Sequence, residues 1–290
     1  MQCRVTMIVL VLSLSACATQ TPVGGDIPAP LEQPWRILIT NDDGIESEGM
    51  RQLAIAVAEF ADVVVVAPVK DESGACQSSR LMGLRAQATP VDIGHSVSAW
   101  AVNGTPSDCA GFGIRLFGQD EPFDLVLSGV NYGANYGIAY LYSGTVGAAF
   151  QGLADGIPAI AVSQDHRREE WSVSIDFTIE VVKSVLANPL PAGEMLSINV
   201  PRDEIKGVKA LPGFGVTFIV EVEPAEDEQG SFYEANIVSN KDPVSGSDLE
   251  AFQDGYITVT PLRLDRNAYD SLAPLRQRAF INNWSGGNGG

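Results

Sequence analysis

The sequence predicts an α/β protein whose mostly parallel sheet carries helices on both faces, followed by a C-terminal β extension. Two observations predict it. Short, continuous apolar runs recur at Ile37–Ile39, Val63–Ala67, Leu125–Leu127, Ile157–Val162 and Leu196–Val200, the pattern of strands buried on both faces. Between them, apolar residues return at helical spacing, first at Met50, Leu53, Ala54, Val57, Ala58 and Phe60, later across Ser174–Leu186. Alternation of the two patterns favours βαβ units.

Each element follows in order. The first strand stops at Asn41-Asp42-Asp43-Gly44, at the carboxyl end where open α/β sheets place their ligands. A helix follows, then the β-branched second strand, which Pro68 ends before a polar loop from Lys70 to Arg80. Gly104-Thr105-Pro106-Ser107-Asp108 reads as a helix start. The strand Asp124–Gly129 is expected to open into a Gly- and Asn-rich loop, Val130 to Tyr142. Ser143-Gly144-Thr145 then begins a helix of small residues, Val146–Leu153. After Lys209, the segments Val216–Val222, Phe232–Val238 and Tyr256–Thr260 are expected as strands without intervening helices.

The folded domain is placed at residues 35–268, with a C-terminal tail at 269–290 whose Gly/Asn-rich end is expected to be disordered. Residues 1–16 read as a signal peptide: Arg4 precedes an apolar stretch, Met7–Leu14, too short to span a bilayer. Leu14-Ser15-Ala16-Cys17 resembles a bacterial lipobox, with Cys17 as the lipidated residue. Residues 17–34, rich in Pro and Gly, form the tether. The expected location is the periplasmic side, anchored by lipid, and Ala18 after the cysteine favours the outer membrane. Cys76 and Cys109 would remain in the mature body, either as a disulfide or as two free thiols.

Thirty-six Asp and Glu face 18 Lys and Arg, a formal charge of −18. That balance argues against nucleic acid as a partner, since phosphate backbones require clustered cations. It leaves small phosphate esters open where a cation reverses the local field. Adjacent Asp42 and Asp43 repel one another, which a hard divalent ion offsets; a tight Asp-Gly turn is the plainer reading. With only His95 and His166, a His-rich zinc site and a His-based triad are disfavoured. No Gly-x-Ser-x-Gly elbow occurs. Ser73 could ligate metal or phosphate, or simply form a Ser-Gly turn. Asn131 and Asn135 offer amide groups in a loop whose glycines permit close approach. Ser143 and Thr145, at a helix N-terminus, suit an anion, and Ser143 also suits an ordinary N-cap.

In this order, Asn41-Asp42-Asp43-Gly44, Ala67-Pro68 with Ser73-Gly74-Ala75, Gly104-Thr105-Pro106-Ser107-Asp108-Cys109, Ser128-Gly129-Val130-Asn131 and Tyr142-Ser143-Gly144-Thr145-Val146 resemble the SurE family of survival-protein nucleotidases. Asp254-Gly255-Tyr256 and Thr260-Pro261-Leu262 resemble that family's closing strand. The resemblance runs from about Trp35 to about Leu264. It implies a Rossmann-like core and a metal-dependent phosphomonoesterase acting on nucleoside 5′- and 3′-monophosphates, with exopolyphosphatase activity in some members. It also implies a homodimer or homotetramer with exchanged C-terminal elements. The implied ligands of one Mn²⁺ or Mg²⁺ are Asp42, Asp43, Ser73 and Asn131. The implied phosphate contacts are Asn135, Ser143, Gly144 and Thr145. Asp42 and Asp43 are the expected catalytic residues: metal-assisted phosphate hydrolysis leaves either of them to deprotonate the water or to attack phosphorus directly, and the sequence does not choose. Family members usually carry a basic or amide residue where Glu72 stands, and a small hydroxyl residue at Cys76. A carboxylate at position 72 should weaken anion binding unless it points away. The competing readings are a non-catalytic nucleotide- or phosphate-binding envelope lipoprotein, and a structural envelope protein on the same scaffold.

Overall fold

The computed structural model describes residues 34–215, 218–225, 233–239 and 242–278. The expected signal peptide, Cys17 and nearly all of the tether lie outside them, as does the end of the tail.

The chain forms β1 (Trp35–Thr40), α1 (Glu48–Val57), β2 (Ala61–Pro68), β3 (Ala88–Val91), β4 (Ser98–Val102) and α2 (Pro106–Phe117). It continues through β5 (Leu125–Tyr132), α3 (Gly144–Ala154), β6 (Ala159–Gln164), α4 (Ser172–Ala187), β7 (Glu194–Val200) and β8 (Val208–Ala210). A hairpin of β9 (Phe218–Pro224) and β10 (Tyr233–Ser239) precedes α5 (Asp248–Gln253), β11 (Ile257–Arg263) and the short α6 (Leu272–Arg276). Among the described residues, nine strands make one sheet in the order β3-β4-β2-β1-β5-β6-β7-β11-β8. The six from β4 to β7 run parallel. Antiparallel β3 flanks one side and antiparallel β11 the other.

Alternation along the strands divides the core. Ile37, Ile39, Val63, Val65 and Leu127 pack with residues of α1 and α4. Leu38, Val64, Val66 and Val126 point the other way, into α2 and α3. Winding proceeds outward from β1 through β2 to β4, then returns to β5 on β1's opposite side. The β1/β5 boundary is therefore a topological switch point, and the Asp42-Asp43 turn lies at its carboxyl end.

Three expectations require correction. β5 does not open into a loop at Val130. It runs to Tyr132, with its ladder to β6 shifting between Ser128 and Asn131. Gly129 permits this irregularity rather than ending the strand: its φ is +130°, and a Cβ there would lie 2.3 Å from the Val162 carbonyl oxygen. Nor do strands follow one another uninterrupted at the C-terminal end, because α5, N-capped by Ser247, precedes β11. β11 also leaves the extension and enters the main sheet between β7 and β8, burying Ile257 and Leu262. Finally, β3, β4 and β8 were not foreseen. They are short flanking strands, and Pro90 sits in the edge strand β3, where a missing N–H is tolerated.

The α3–β5 contact has no slack. A Cβ on Gly152 would stand 2.7 Å from the Val126 Cβ. Gly152→Ala is expected to destabilise the fold by about 1–3 kcal/mol through overpacking, despite alanine's better helix propensity. Denaturant titration checks this; equal or higher stability would refute the tight contact.

Candidate active site

The candidate metal ligands come from the carboxyl ends of three adjacent strands, β2, β1 and β5. The turn after β1 is fixed from within: the Asn41 side-chain amide donates to the Gly44 carbonyl oxygen at 2.8 Å. Gly44 has φ +96°, and a Cβ on it would meet the Lys70 carbonyl carbon at 2.9 Å. The loop after β2 is thus laid against the acidic turn, and the Glu72 N–H donates to the Asp42 carbonyl oxygen at 2.8 Å.

Asp42 is buried, and its Oδ1 accepts from the Thr145 hydroxyl at 2.5 Å. Its partner element is the N-terminus of α3. Ser143 caps that helix, its Oγ accepting from the Val146 N–H at 3.1 Å. At Gly144, a Cβ would lie 2.9 Å from Asp42 Oδ2 and 2.8 Å from its Cβ, so glycine lets the helix reach the carboxylate. Burial pushes the Asp42 carboxyl above the ordinary carboxylate range, and its hydrogen bonds to Thr145 oppose this. Asp43 is less buried and accepts from the Tyr132 N–H at 3.1 Å. Burial, then the neighbouring Asp42, raises its pKa from 3.8 to about 7.

Asn131 lies one residue before Tyr132, and its side-chain nitrogen donates to the Gly133 carbonyl oxygen at 2.5 Å. That bond commits the nitrogen and leaves the amide oxygen available as an acceptor or ligand. Ser73 stands on an exposed turn one residue past Glu72, its N–H bonded to Asp71 Oδ1 at 2.7 Å. Asn135, by contrast, is spent on the protein. Its backbone N–H donates to Asn199 Oδ1 at 2.6 Å and its side-chain nitrogen to the Ser163 hydroxyl at 2.9 Å. Cys76 and Cys109 are free thiols, which settles the choice between pairing and separate thiols. Glu72 does not stand as a bare carboxylate, since Arg80 forms an ion pair with it.

Two contributors were missed in the sequence. Asp71 lies near enough to add to the repulsion felt by both acids; its only signal was an Asx turn two residues before Ser73. Asp248, buried at the start of α5, accepts the Gly137 N–H on both carboxylate oxygens at 3.0 Å. It anchors the loop leading into α3, and nothing local in the sequence points to that pairing.

No group of three or more His, Cys, Asp and Glu is arranged to hold a metal among the described residues. The donor set that the family resemblance implies is of another kind: two carboxylates with neutral oxygens from Asn131 and Ser73. Such oxygen-only donors fit a hard cation such as Mg²⁺ or Mn²⁺. The Thr40 and Ser128 hydroxyls and Asn41 Oδ1 are buried beside this turn without a protein partner, as is common where a polar site is built for a ligand.

The folded pKa of Asp43 exceeds its unfolded value. Between about pH 4 and 7 the folded chain therefore holds the extra proton, and stability falls as pH rises through that window. Asp43→Asn in EDTA should gain thermal stability at pH 8 relative to the parent, with a smaller gain at pH 5. Equal gains at both pH values would contradict the buried like-charge pair.

Comparison with known proteins agrees with this architecture. The family model described as survival protein SurE matches residues 37–219. A 5′-nucleotidase SurE of Aeromonas hydrophila is 36% identical over 246 residues, spanning 83% of this chain and 96% of the relative. One from Pseudoalteromonas atlantica is 36% identical over 251 residues, spanning 83% of this chain and 98% of the relative. The crystal structure of the SurE protein from Aquifex aeolicus superposes with a TM-score of 0.73 at 32% identity, covering 83% of this chain and 98% of its own. With the family model matched over residues 37–219 and relatives 36% identical across most of its length, the chain belongs to the SurE survival-protein family.

Proposed function

We propose that this protein is a divalent-cation-dependent phosphomonoesterase that hydrolyses nucleoside 5′-monophosphates, and 3′-monophosphates as well, to nucleoside and phosphate. One observation carries the reading: Asp42 is pinned by Thr145 against the N-terminus of α3, with no room for a Cβ at Gly144. A helix N-terminus attracts anions, whereas a carboxylate pair repels them. A cation held by the pair, with a phosphate between it and the helix, satisfies both. The names of the two 36%-identical relatives support the same chemistry.

In this reading Asp42, Asp43, Asn131 and Ser73 hold one Mn²⁺ or Mg²⁺. When bound, the ion supplies Lewis-acid polarisation of the phosphoryl group and a more acidic water. Thr145 keeps Asp42 in place through its hydroxyl, so Asp42 serves as a fixed ligand. Asp43, less buried and held through the Tyr132 N–H, is the carboxylate with freedom to take a proton from the attacking water. Ser143, Gly144 and Thr145 steady the phosphoryl oxygens as charge builds. Asn135 acts indirectly, holding its loop through Asn199 and Ser163. Export and lipid attachment at Cys17 belong to the same reading and rest on the lipobox-like segment. No helix among the described residues is long and apolar enough to cross a membrane.

The test is phosphate release from a nucleotide panel, with Mn²⁺ and with EDTA. The expected result is Mn²⁺-stimulated turnover that EDTA abolishes. Asp42→Asn should lower kcat/KM at least about a hundredfold, the scale of removing one positioned electrostatic group, while circular dichroism stays native. Unaltered turnover in that variant would remove the site assignment. Binding of AMP with Mn²⁺ but without released phosphate would favour a non-catalytic binding protein.

A further inference from the structure

The segment Gly104-Thr105-Pro106-Ser107-Asp108 has no part in the reaction described above, and an ordinary helix start explains only some of it. Thr105 caps α2: its Oγ1 accepts the Asp108 N–H at 3.1 Å, while Asp108 Oδ2 accepts the Thr105 N–H at 3.0 Å. That reciprocal pair is all a capping box requires. Asp108 does more. Its Oδ1 also accepts the Ser79 hydroxyl at 2.5 Å and the Leu81 N–H at 3.4 Å, and its Oδ2 the Arg80 N–H at 2.9 Å. Three consecutive residues of the loop after β2 thus converge on one carboxylate at the start of α2. We propose that Asp108 is a positioning residue, which acts through this loop to hold Ser73 against the acidic turn. The proposal deepens the phosphomonoesterase reading above and rests on it.

A short path of hydrogen bonds leads from the start of α2 to Ser73. The Thr105 hydroxyl donates to the Ser78 carbonyl oxygen at 2.6 Å. Ser78 bonds back to the Ala75 carbonyl oxygen, through its N–H at 3.2 Å and its hydroxyl at 2.6 Å. The Ala75 N–H donates to the Glu72 carbonyl oxygen at 3.0 Å, closing a turn around Ser73. On the near side of that turn, the Glu72 N–H is tied to Asp42. Just past it, the Cys76 N–H donates to the Tyr142 carbonyl oxygen at 3.2 Å, one residue before the Ser143 cap of α3. Ser73, Gly74, Ser78 and Ser79 are all exposed. Hydrogen bonds rather than burial therefore fix the course of the loop, and Asp108 gathers those at its far end.

Close packing joins this anchor to the site. A Cβ on Gly104 would stand 2.8 Å from the Asp108 Cβ and 2.9 Å from Leu81 Cδ1, so glycine lets the loop close on α2. A Cβ on Gly144 would stand 2.9 Å from Pro106 Cγ and 2.8 Å from the Asp42 Cβ. The first turn of α2 thus lies against the same turn of α3 that reaches Asp42. Burial opposes the charge on Asp108, but the bonds from Ser79, Arg80 and Thr105 outweigh it and hold the carboxyl below the ordinary range. Asp108 is therefore an ionised acceptor at neutral pH, and charge-assisted bonds of this kind exceed neutral ones in strength. An amide cannot replace it, because its nitrogen would turn a donor toward the donors of the loop.

The test separates positioning from folding and from catalysis. Amide hydrogen exchange is followed in the metal-free full chain and in its Asp108→Asn and Ser79→Ala variants. Ser79 is exposed and lies outside the helix cap, so Ser79→Ala decides alone if Asp108→Asn does not fold. Exchange at the Cys76 and Ser78 amides is expected to quicken at least about tenfold, the scale of losing a bond to a charged group, with α2 beyond its first turn unaltered. Mn²⁺ affinity, read by calorimetry, should fall at least about tenfold in the same variants, and excess Mn²⁺ should restore turnover of 5′-AMP. Gly152→Ala, which loosens α3 elsewhere, should keep the parental Mn²⁺ affinity. Parental exchange at Cys76 and Ser78 in every variant that folds overturns the proposal. So does quickened exchange with parental Mn²⁺ affinity, since the loop would then be held for stability alone. If the parent chain binds no Mn²⁺ and releases no phosphate, the phosphomonoesterase reading fails, and the exchange rates still decide whether Asp108 fixes the Ser73 turn.

Discussion

The arrangement depends on one contact, the bond from the Thr145 hydroxyl to the Asp42 carboxylate. It ties the end of the first strand to the start of the third helix, more than a hundred residues later. Asp42 packs directly against the first turn of that helix. Gly144 is the condition for it, because any side chain there would fill the space the carboxylate needs. Burial opposes the charge the contact would stabilise. The protein therefore buries adjacent carboxyl groups at the switch point of its sheet, an arrangement that a bound cation would favour.

The surroundings reinforce that contact from three sides. Asp43 is steadied by the Tyr132 N–H, the loop after β2 is stitched to the Asp42 carbonyl oxygen, and the loop before α3 is held by Asp248. A Cβ on Gly147 would lie 2.2 Å from the Cys76 carbonyl oxygen, so the same helix also supports the Ser73 loop. Strand ends carry the candidate ligands, and close backbone contacts at glycines set their spacing. This suits a site whose chemistry is positioning and charge stabilisation.

Much of this was legible in the residues. Ile37–Ile39 and Val63–Ala67 are buried on both faces, which leaves a continuous apolar run as their signature. Ser143 followed by Gly144 marked a helix start because capping is local chemistry. Other features were not readable. Gly129 looked like a strand terminus, since a glycine accommodating a bulge and one ending a strand have the same local appearance. β11 entered the main sheet because its partners, β7 and β8, are set by tertiary packing rather than local pattern. Among the candidate ligands, Asp42 and Asp43 were conspicuous as neighbours. The engagement of Asn135 with Asn199 and Ser163, and of Glu72 with Arg80, depends on contacts the sequence order does not encode.

Asp248 has a consequence for the order in which the molecule is completed. The Gly137 N–H finds its acceptor only in a residue 111 positions downstream. Until α5 has been synthesised and docked, that donor lacks its acceptor and the path into α3 is not locked. The candidate site is therefore completed by a contact that the last quarter of the polypeptide supplies.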